Sequence, residues 1–415
     1  MYKKQQQILV MGLGYIGLPT ASLLATKGHK VLGVDISIDV VDTINSGNIH
    51  IVEPDLDILV RSAVNSGNLR ASITPDVADT FILAVPTPFR KVGGNPRAPD
   101  ISYVEAATHS IAPYLREGNL VILESTSPVG TTERIAEILA ELRPDLVPSI
   151  PIHKTSSSVY LAHCPERVLP GHIIRELVDN DRIIGGINRA SAAKAQELYS
   201  SFCNGTTFIT DSRTAELAKL VENSFRDVNI AFANELSLIC DRLGINVWEL
   251  LELANKHPRV NILQPGPGVG GHCIAVDPWF IVSAAPEESR LIRLAREVND
   301  SKPNWVVEKI RAKAERFKNP VIGCLGLAFK ANIDDLRESP ALEITRMLIR
   351  ENIGLVMSCE PNISEDFREF PIYPLADVLT EADVVVVLVD HDEFKQIDRE
   401  ILKEKVVIDT RGIWR

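Results

Sequence analysis

One cysteine, Cys273, lies in a stretch rich in proline and glycine at residues 264–280, with the sequence QPGPGVGGHCIAVDPWF. Glycine lets the backbone approach a ligand closely, and proline fixes the flanking chain. A thiol on such a stretch is accessible and has space beside it for a substrate carbon. It becomes a nucleophile if a neighbouring group stabilises the thiolate or accepts the proton. The alternative is a small buried apolar residue, the usual state of an unpaired cysteine, and this stretch alone leaves both open.

Four other polar residues occupy positions that a reaction can use. Asp277 follows the cysteine by four residues in the same stretch. Glu166 comes directly after a strand pattern, where its carboxylate is either a base or the ion-pair partner of Arg167. Lys219 and Asn223 are four residues apart in a long helical pattern, so they share a helix face. They form either a buried polar pair or part of an exposed stripe.

The first strand and helix of the chain enclose a glycine motif. Residues 8–11 are apolar, the run GLGYIG follows, and a helical pattern extends to residue 27. Glycines at these places permit a tight turn and close approach of a pyrophosphate to the helix N-terminus. The second strand pattern ends at Asp35, whose carboxylate would accept hydrogen bonds from ribose hydroxyls and repel a 2′-phosphate, so the motif predicts NAD rather than NADP. The predicted contact residues of the motif are Gly12, Gly14, Tyr15, Ile16 and Gly17.

The next two strand patterns end in the polar runs PTP and STSPVGTT. Strand ends of a parallel sheet face the cofactor crevice. Pro86 and Thr87 in the first run and Thr126 in the second are therefore predicted at the cofactor site. Thr131 or Thr132 is predicted to cap the following helix through its hydroxyl.

A second, smaller α/β pattern occupies the C-terminal part of the chain, with strands at 321–325, 354–357, 384–389 and 406–409. Pro340 is placed to open a helix at its first turn. Lys330, Arg337 and that helix N-terminus together could hold a second, phosphorylated ligand. Two solvated cations are the alternative interpretation.

A long helix connects the two patterns. Between residue 211 and about residue 244 there is no proline or glycine, and apolar residues recur at helical spacing. We therefore predict an α/β protein of two Rossmann-like, doubly wound domains joined by a long central helix. The predicted domains are 1–200 for NAD, 201–300 for a central helical and dimerisation region with the cysteine loop, and 301–415 for the second ligand. The apolar stripe of the helix predicts a homodimer or a higher homo-oligomer.

Composition excludes several functional classes. The chain has 415 residues, too many for one ordinary core, and a formal net charge of -11, which argues against a nucleic-acid or anionic-membrane partner. Its six cysteines have no close metal-binding spacing, although the adjacent His-Cys pairs at 163–164 and 272–273 leave a metal site as a minor alternative. No signal-peptide or membrane-helix pattern is present, so we expect a cytoplasmic protein with reduced thiols and no membrane insertion.

An NAD domain and a reactive cysteine together predict a specific reaction. Most hydride-transfer enzymes oxidise an alcohol once and need no cysteine. A cysteine becomes useful when the aldehyde product is held as a thiohemiacetal, oxidised a second time and released from the thioester by water. The alternatives are a hydroxyacid-type dehydrogenase that oxidises once and an NAD-binding regulator without activity. Cys273 in its glycine-rich stretch argues against both.

The whole chain resembles the UDP-glucose/GDP-mannose 6-dehydrogenase family. Six ordered motifs carry the resemblance: GLGYIG, ESTSPVGTT, PER, KLVENSFRDVNIAFANE, GGHC-x3-D and FK-x6-RES. The resemblance implies an enzyme that oxidises the C6 hydroxyl of a nucleotide sugar by four electrons with NAD. It also implies that the C-terminal domain binds the UDP-sugar substrate.

The resemblance implies roles for the residues of the reaction itself. Cys273 corresponds to the nucleophile of the family. Lys219 corresponds to the cation that stabilises the alkoxide and the oxyanion, and Asn223 to the residue that positions the substrate. Asp277 and Thr126 correspond to the pair that handles protons around a water.

The resemblance also assigns the binding residues. Glu166 corresponds to a glutamate of the thioester stages, Arg337 to a residue near the cofactor or the domain interface, and Arg259 to an arginine that reaches a neighbouring subunit's substrate. The implied substrate-binding residues are Glu166, Arg167, Lys219, Asn223, Arg259, Gly270, Phe329 and Lys330.

Two departures from the glucose enzymes of the family bear on the substrate. Those enzymes have a lysine before the loop aspartate, where this chain has Val276, and a different run after PER, where this chain has RVLPGHIIREL. The runs PERVLPG, HPRVN and PGPGVGGHCIAVDPWF resemble most the branch that oxidises UDP-N-acetylmannosamine for surface polysaccharides such as enterobacterial common antigen. UDP-N-acetylglucosamine is the nearest alternative. These two sugars differ only in configuration at C2, and nothing physical in the sequence distinguishes them.

Overall fold

The computed structural model describes residues 5–90, 97–146, 158–169, 171–271, 273–363 and 367–415. The chain divides into two compact units, Met1–Val221 and Glu222–Arg415. His272, half of one of the two His-Cys pairs, lies outside the described residues.

The first unit contains an eight-stranded sheet. Its strands are β1 (Gln7–Met11), β2 (Lys30–Val34), β3 (Leu69–Ser72), β4 (Thr80–Leu83), β5 (Leu120–Leu123), β6 (Tyr160–His163), β7 (Arg182–Gly186) and β8 (Thr207–Asp211). Their spatial order is β3-β2-β1-β4-β5-β6-β7-β8. The first six strands are parallel and follow the order of the Rossmann fold. The strand β7 runs antiparallel to β6, and β8 runs parallel to β7.

Helices cover both faces of this sheet. They are α1 (Gly17–Thr26), α2 (Ile38–Asn45), α3 (Leu56–Asn65), α4 (Ser102–Ile111), α5 (Thr131–Leu142), α6 (Ile173–Asp179) and α7 (Arg189–Tyr199). Successive side chains of a strand point to opposite faces, so a sheet covered twice needs apolar residues at every position. In β1, Ile8 and Val10 lie in one buried cluster, and Leu9 and Met11 lie in another. The uninterrupted apolar strands of the sequence therefore correspond to a doubly wound sheet.

The long predicted helix is α8 (Ser212–Leu243), which begins in the first unit and ends in the second. The second unit also contains α9 (Val247–Ala254), α10 (Asp277–Ala284), α11 (Arg290–Ala314), α12 (Pro340–Arg350), α13 (Leu375–Glu381), α14 (Asp392–Lys395) and α15 (Arg399–Leu402). Its sheet consists of β9 (Val321–Leu325), β10 (Leu355–Cys359), β11 (Val384–Val387) and β12 (Val406–Asp409). All four strands are parallel, in the order β10-β9-β11-β12, with buried clusters on both faces. The predicted fold class is confirmed.

The sequence suggested domain boundaries at residues 200 and 300, and one element of the structure bears on each of them. The strand β8 lies beyond residue 200 and is still paired with β7 in the first sheet. The helix α11 passes through residue 300 and contains Pro303 in its interior. Proline usually ends a helix because it removes a donor and crowds the preceding turn, and for this reason the sequence pattern suggested a restart at that point.

No helix within the described residues is both long enough and apolar enough to span a lipid bilayer.

Candidate active site

The glycine motif after β1 forms a tight loop with an open side. Gly12 has φ +89°, and a Cβ atom there would lie 2.6 Å from the Ala84 carbonyl oxygen. A Cβ atom on Gly17 would overlap the Gly12 carbonyl oxygen. A Cβ atom on Gly14 would meet nothing within 4 Å, which leaves space over the N-terminus of α1. This arrangement fits the pyrophosphate of a dinucleotide, because backbone N–H groups and the helix dipole meet there.

Asp35 follows β2 and lies against this loop. Its Oδ2 accepts a hydrogen bond from Leu13 N at 2.9 Å, and its Oδ1 accepts one from Ser37 N at 3.0 Å. The carboxylate is thereby held beside the glycine turn, where a ribose of NAD would bind. His50, which sequence analysis did not single out, lies near this carboxylate, and burial lowers the pKa of its imidazole.

The predicted strand-end residues meet in the first unit. Thr87 Oγ1 donates to the Thr126 carbonyl oxygen at 2.6 Å, and Ser125 Oγ donates to the Val85 carbonyl oxygen at 2.6 Å. The ends of β4 and β5 are therefore joined by hydroxyl bonds. Thr126 and Thr87, predicted separately from sequence, lie side by side.

Glu216 on α8 caps the helix that follows the STSPVGTT run. Its carboxylate accepts bonds from Gly130 N at 2.6 Å and from Thr132 N at 2.8 Å, and also from the Thr132 hydroxyl at 2.6 Å. The prediction that Thr131 or Thr132 caps the helix is wrong, because a buried carboxylate from another helix takes the orphan N–H groups instead. Burial raises the pKa of this carboxyl. The contact fixes the loop that carries Thr126 to the helix that carries Lys219.

Glu166 is buried and pairs with a residue that sequence analysis missed. Arg182, the first residue of β7, donates to Glu166 Oε1 at 2.5 Å. Arg167, the sequence neighbour suggested as partner, donates instead to the Asp181 carbonyl oxygen. The Glu166–Arg182 pair could be predicted only if the place of β7 in the sheet were known, and no local sequence pattern reveals that place.

Lys219 and Asn223 both lie half-buried on α8. In the second unit, Asn223 Nδ2 donates to Asp277 Oδ2 at 2.5 Å, and Asp277 is the first residue of α10. The structure thus brings two predicted site residues into direct contact. Asn223 is half-buried and bonded to a carboxylate of the cysteine stretch, so it is not part of an exposed polar stripe.

The cysteine stretch is anchored at its beginning by a buried amide network. Gly266 N donates to Asn234 Oδ1 at 2.9 Å, and Asn234 Nδ2 donates to Asn299 Oδ1 at 2.8 Å. Asn299 in turn donates to Asp227 on α8. These side chains connect α8, α11 and the loop, and a buried hydrogen-bond network of this kind restricts the loop to one geometry.

The glycines before the cysteine pack against the segment 326–339, which carries Phe329 and Lys330. Gly271 N donates to the Arg337 carbonyl oxygen at 3.0 Å. A Cβ atom on Gly270 would lie 2.6 Å from the Glu338 carbonyl oxygen and 2.7 Å from Phe329 Cβ. A Cβ atom on Gly271, whose φ is +85°, would lie 3.0 Å from the Phe329 ring. Only glycine fits these two positions, so the loop sequence follows from its packing.

We expect Gly271→Ala to lower both stability and turnover more than Gly118→Ala does. Both glycines have φ +85°, but a Cβ atom at Gly118 would meet nothing within 4 Å. The left-handed backbone costs each alanine about 1–2 kcal/mol, so the difference between the variants isolates the contact with Phe329. Thermal unfolding and kcat measure it. Equal effects of the two substitutions would show that the loop does not depend on this contact.

Cys273 lies at the start of the helical turn that becomes α10. Its carbonyl oxygen accepts hydrogen bonds from Val276 N at 3.0 Å and from Asp277 N at 2.8 Å. The partial positive charge at such a helix start favours a thiolate. Cys273 is half-buried, whereas four other cysteines are buried. Burial raises the pKa of the thiols of Cys324 and Cys359 to about 12, which makes these two unreactive at neutral pH.

The remaining predicted cations lie on the surface of the second unit. Lys330 and Arg259 are exposed. Arg337 donates to both oxygens of Asp335 in its own segment. Arg411, absent from the sequence predictions, pairs with Asp390, and its guanidinium lies where a Cβ atom of Gly266 would be. A cation over this loop is a candidate for a ligand contact.

The described part of the chain holds no group of three or more His, Cys, Asp or Glu side chains arranged for a metal ion. His163, half of the other His-Cys pair, is completely buried, and burial lowers its pKa to about 3. A neutral imidazole in the core is consistent with a packing role.

Three family models match the chain. They describe the NAD binding domain of the UDP-glucose/GDP-mannose dehydrogenase family at residues 6–203, its central domain at 213–301 and its UDP binding domain at 323–415. A relative from Ralstonia nicotianae, named NDP-N-acetyl-D-galactosaminuronic acid dehydrogenase, is 58% identical over 98% of this chain and 96% of its own length. The UDP-N-acetyl-D-mannosamine dehydrogenase of Escherichia coli K12 is 55% identical over 98% of this chain and 99% of its own.

Solved structures show the same similarity. The UDP-D-ManNAc dehydrogenase of Pyrococcus horikoshii superimposes with a TM-score of 0.88 at 41% identity, over 99% of this chain and 96% of that one. The similarity therefore extends over both sheets and the helices between them.

Proposed function

The chain belongs to the UDP-glucose/GDP-mannose dehydrogenase family and is an NAD-dependent UDP-sugar dehydrogenase, and from this premise we propose that it oxidises UDP-N-acetyl-D-mannosamine at C6 to the uronate. The observation that carries the proposal is the anchored cysteine turn, in which the Cys273 carbonyl oxygen accepts a hydrogen bond from Asp277 N and the Asp277 carboxylate is bound by Asn223. A reaction that stopped at the aldehyde would need no such thiol.

The proposed reaction removes four electrons in two stages. NAD would supply the hydride acceptor at each stage, and each stage would consume one molecule of it. In the first stage a base takes the proton of the C6 hydroxyl, and the carbon becomes an aldehyde. The Cys273 thiolate then adds to that carbon, which still carries one hydrogen. Loss of this hydrogen as hydride gives a thioester, and water releases the carboxylate and restores the thiol.

The surrounding side chains have distinct proposed roles in this sequence. The Lys219 ammonium stabilises the alkoxide of the first stage and the oxyanion of the thiohemiacetal. Asn223 holds the Asp277 carboxylate by the bond described above, and Asp277 with Thr126 handles the proton of a water. Glu166 serves the hydrolysis of the thioester. Water enters last, so these acid–base groups act mainly at the end of the reaction.

Substrate recognition is proposed to involve the second unit. Phe329 and Lys330 lie on the segment that packs against Gly270 and Gly271, where aromatic and cationic side chains suit a UDP-sugar. Arg259 is exposed and is proposed to reach the substrate of a neighbouring subunit. The product, a sugar acid nucleotide made in the cytoplasm, would supply a surface polysaccharide such as enterobacterial common antigen.

UDP-N-acetyl-D-galactosamine is the second candidate substrate. The relative at 58% identity is named for an N-acetylgalactosaminuronic acid, while the mannosamine enzyme stands at 55%. A difference of three percentage points in sequence identity does not decide between the two substrates. The mannosamine proposal is supported by the similarity of the loop motifs and by the fold of the Pyrococcus structure.

A substrate panel tests the proposal. We expect the largest kcat/KM with UDP-N-acetylmannosamine, lower values with the N-acetylgalactosamine and N-acetylglucosamine nucleotides, and the lowest with UDP-glucose. NADP at matched concentration should support little turnover, because its 2′-phosphate would face Asp35. A preference for the galactosamine nucleotide would replace the sugar assignment and leave the reaction type intact.

The long helix supports a homodimer or higher homo-oligomer. Phe225 and Phe232 on α8 are 71% and 55% exposed, two turns apart on one face. Apolar residues repeated at this spacing suit a second copy of the chain. We expect Phe225→Asp to shift sedimentation toward the monomer at micromolar concentration. Ile58→Asp on α3, at a residue 63% exposed, is the control and should leave the wild-type assembly unchanged. A wild-type chain that sediments as a monomer would contradict the proposal.

A further inference from the structure

A buried cluster of polar groups lies behind Glu166 in the first unit. Glu124 follows β5, Arg182 begins β7, and Tyr199 ends α7. Glu166 and Arg182 have side chains that are 6% and 5% exposed, and Glu124 is 1% exposed. Buried ionisable groups require partners. The carboxyls of Glu124 and Glu166 share one guanidinium, that of Arg182, so only one of the two carboxyls can form an ion pair with it as a carboxylate.

The contacts show which of the two carboxyls forms this ion pair. Arg182 Nη1 donates to Glu166 Oε1 at 2.5 Å, and its Cζ lies 4.4 Å from the centroid of the Tyr199 ring. The Tyr199 hydroxyl donates to Glu124 Oε1 at 2.9 Å. Arg182 therefore makes its ion pair with Glu166, while Glu124 accepts a hydrogen bond from the neutral phenol of Tyr199. The guanidinium is thus held between the face of the Tyr199 ring and the Glu166 carboxylate.

The charges around Glu124 lead to the same assignment. The ionisable groups that face it are Glu166, Arg182, Tyr199 and Cys164, and the Thr20 hydroxyl faces it as well. Burial, followed by the charge of Glu166, raises the pKa of Glu124 to about 8. A neutral Glu124 leaves one carboxylate and one guanidinium in the cluster.

A small cavity next to this pair has room for a water. A cavity of about 10 Å³ is lined by Glu166, Arg182 and their neighbours. This is the space of one water. Glu166 is thus held at the wall of a pocket where a water fits.

We propose that Arg182 is a positioning residue for thioester hydrolysis, which holds Glu166 as an oriented carboxylate, and that Glu124 must keep its proton so that Arg182 is not drawn away. The proposal rests on the role given to Glu166 in the proposed function. Arg182 touches no reacting atom and acts through Glu166. Ionisation of Glu124 would place a second anion beside the guanidinium and weaken its bond to Glu166.

The first experiment follows the covalent intermediate. Acid-quenched samples of Glu166→Gln should contain sugar nucleotide bound to Cys273 as a thioester, because hydrolysis is slowed. Arg182→Lys keeps a cation but loses the planar fork, so it should accumulate the same adduct, with kcat lowered by up to about 10²-fold and KM nearly unchanged. Arg182→Met should show the effect more strongly if it folds. Glu105→Gln, which changes a surface ion pair with Arg134, should behave as wild type.

Two results separate the possible failures. If Glu166→Gln accumulates the adduct and Arg182→Lys turns over as wild type, the positioning role is wrong and the proposed function stands. If Glu166→Gln accumulates nothing, the role of Glu166 in hydrolysis is wrong, and the role of Arg182 is wrong with it.

The second experiment tests Glu124 through stability and does not depend on turnover. An unfolded glutamate ionises near pH 4.5, whereas Glu124 in the fold does so at about 8. Between these values the folded state binds a proton that the unfolded state lacks, so stability falls as pH rises through this window. Glu124→Gln cannot ionise. Its Tm relative to wild type should therefore rise between pH 5 and pH 8, and it should retain the hydrolysis rate that wild type loses above about pH 8. A Tm difference that is constant with pH would overturn the assignment of the proton.

Discussion

Lys219→Ala should lower kcat by about 10²–10³-fold, with little change in the KM for the UDP-sugar. The ammonium of this half-buried residue on α8 is proposed to meet negative charge that develops at the C6 oxygen. An interaction of that kind strengthens in the transition state, and loss of one donor typically costs about 2.7–4 kcal/mol. Steady-state kinetics with NAD and the preferred UDP-sugar measure the effect.

A matched control shows whether the effect belongs to the site. Lys313→Ala removes another half-buried lysine from a helix, in this case α11, and should leave kcat within about twofold, because Lys313 is not part of the proposed site. Unchanged kcat with a raised KM in Lys219→Ala would make the lysine a substrate clamp that has no part in charge stabilisation.

Cys273→Ser should abolish net four-electron oxidation while leaving the first oxidation possible. The first hydride transfer needs only NAD, a base and an oriented hydroxyl. The second needs a carbon that still carries hydrogen and bears an oxyanion, which the thiohemiacetal supplies. Serine keeps the size of the side chain but replaces the thiol with a far weaker nucleophile and a poor leaving group. The variant should stop after one NADH per sugar or accumulate a slowly hydrolysed ester.

Cys203→Ser is the appropriate control for this experiment. Cys203 is also incompletely buried, and its Sγ donates to the Asn180 carbonyl oxygen at 3.4 Å. We expect Cys203→Ser to yield two NADH per sugar and to remain sensitive to a thiol alkylator, with protection by UDP-sugar. Uronate formation by Cys273→Ser at the wild-type rate would favour hydration of the aldehyde by a base such as Asp277.

The sequence predicts correctly those features that depend on residues close together in the chain. The glycine motif, its flanking strands and Asp35 form one local unit, and the structure shows Asp35 bound to Leu13 N at the turn. The long helix was predicted within a few residues because α8 has no breaker between Ser212 and Leu243. The fold class followed from these patterns.

Residues that act across the fold could not be found in this way. Glu216 and Arg182 lie far in sequence from the loops they hold, and each resembles an ordinary polar residue in a helix or strand. The strand β7 begins with Arg182 and contains two glycines, which weakened its strand pattern. At Pro303 the sequence pattern suggested a break, because proline disfavours the interior of a helix. The helix α11 nevertheless continues through this residue.

The covalent mechanism is tested most directly by peptide mass spectrometry of wild-type enzyme quenched in acid during a single turnover. We expect a sugar nucleotide joined to Cys273 as a thioester on the peptide that contains this residue, which forms together with the second NADH and disappears as uronate is released. The same peptide from Cys273→Ser should carry no thioester. If wild-type enzyme produces two NADH and the 6-carboxylate while Cys273 stays unmodified at every time point, the covalent mechanism is contradicted.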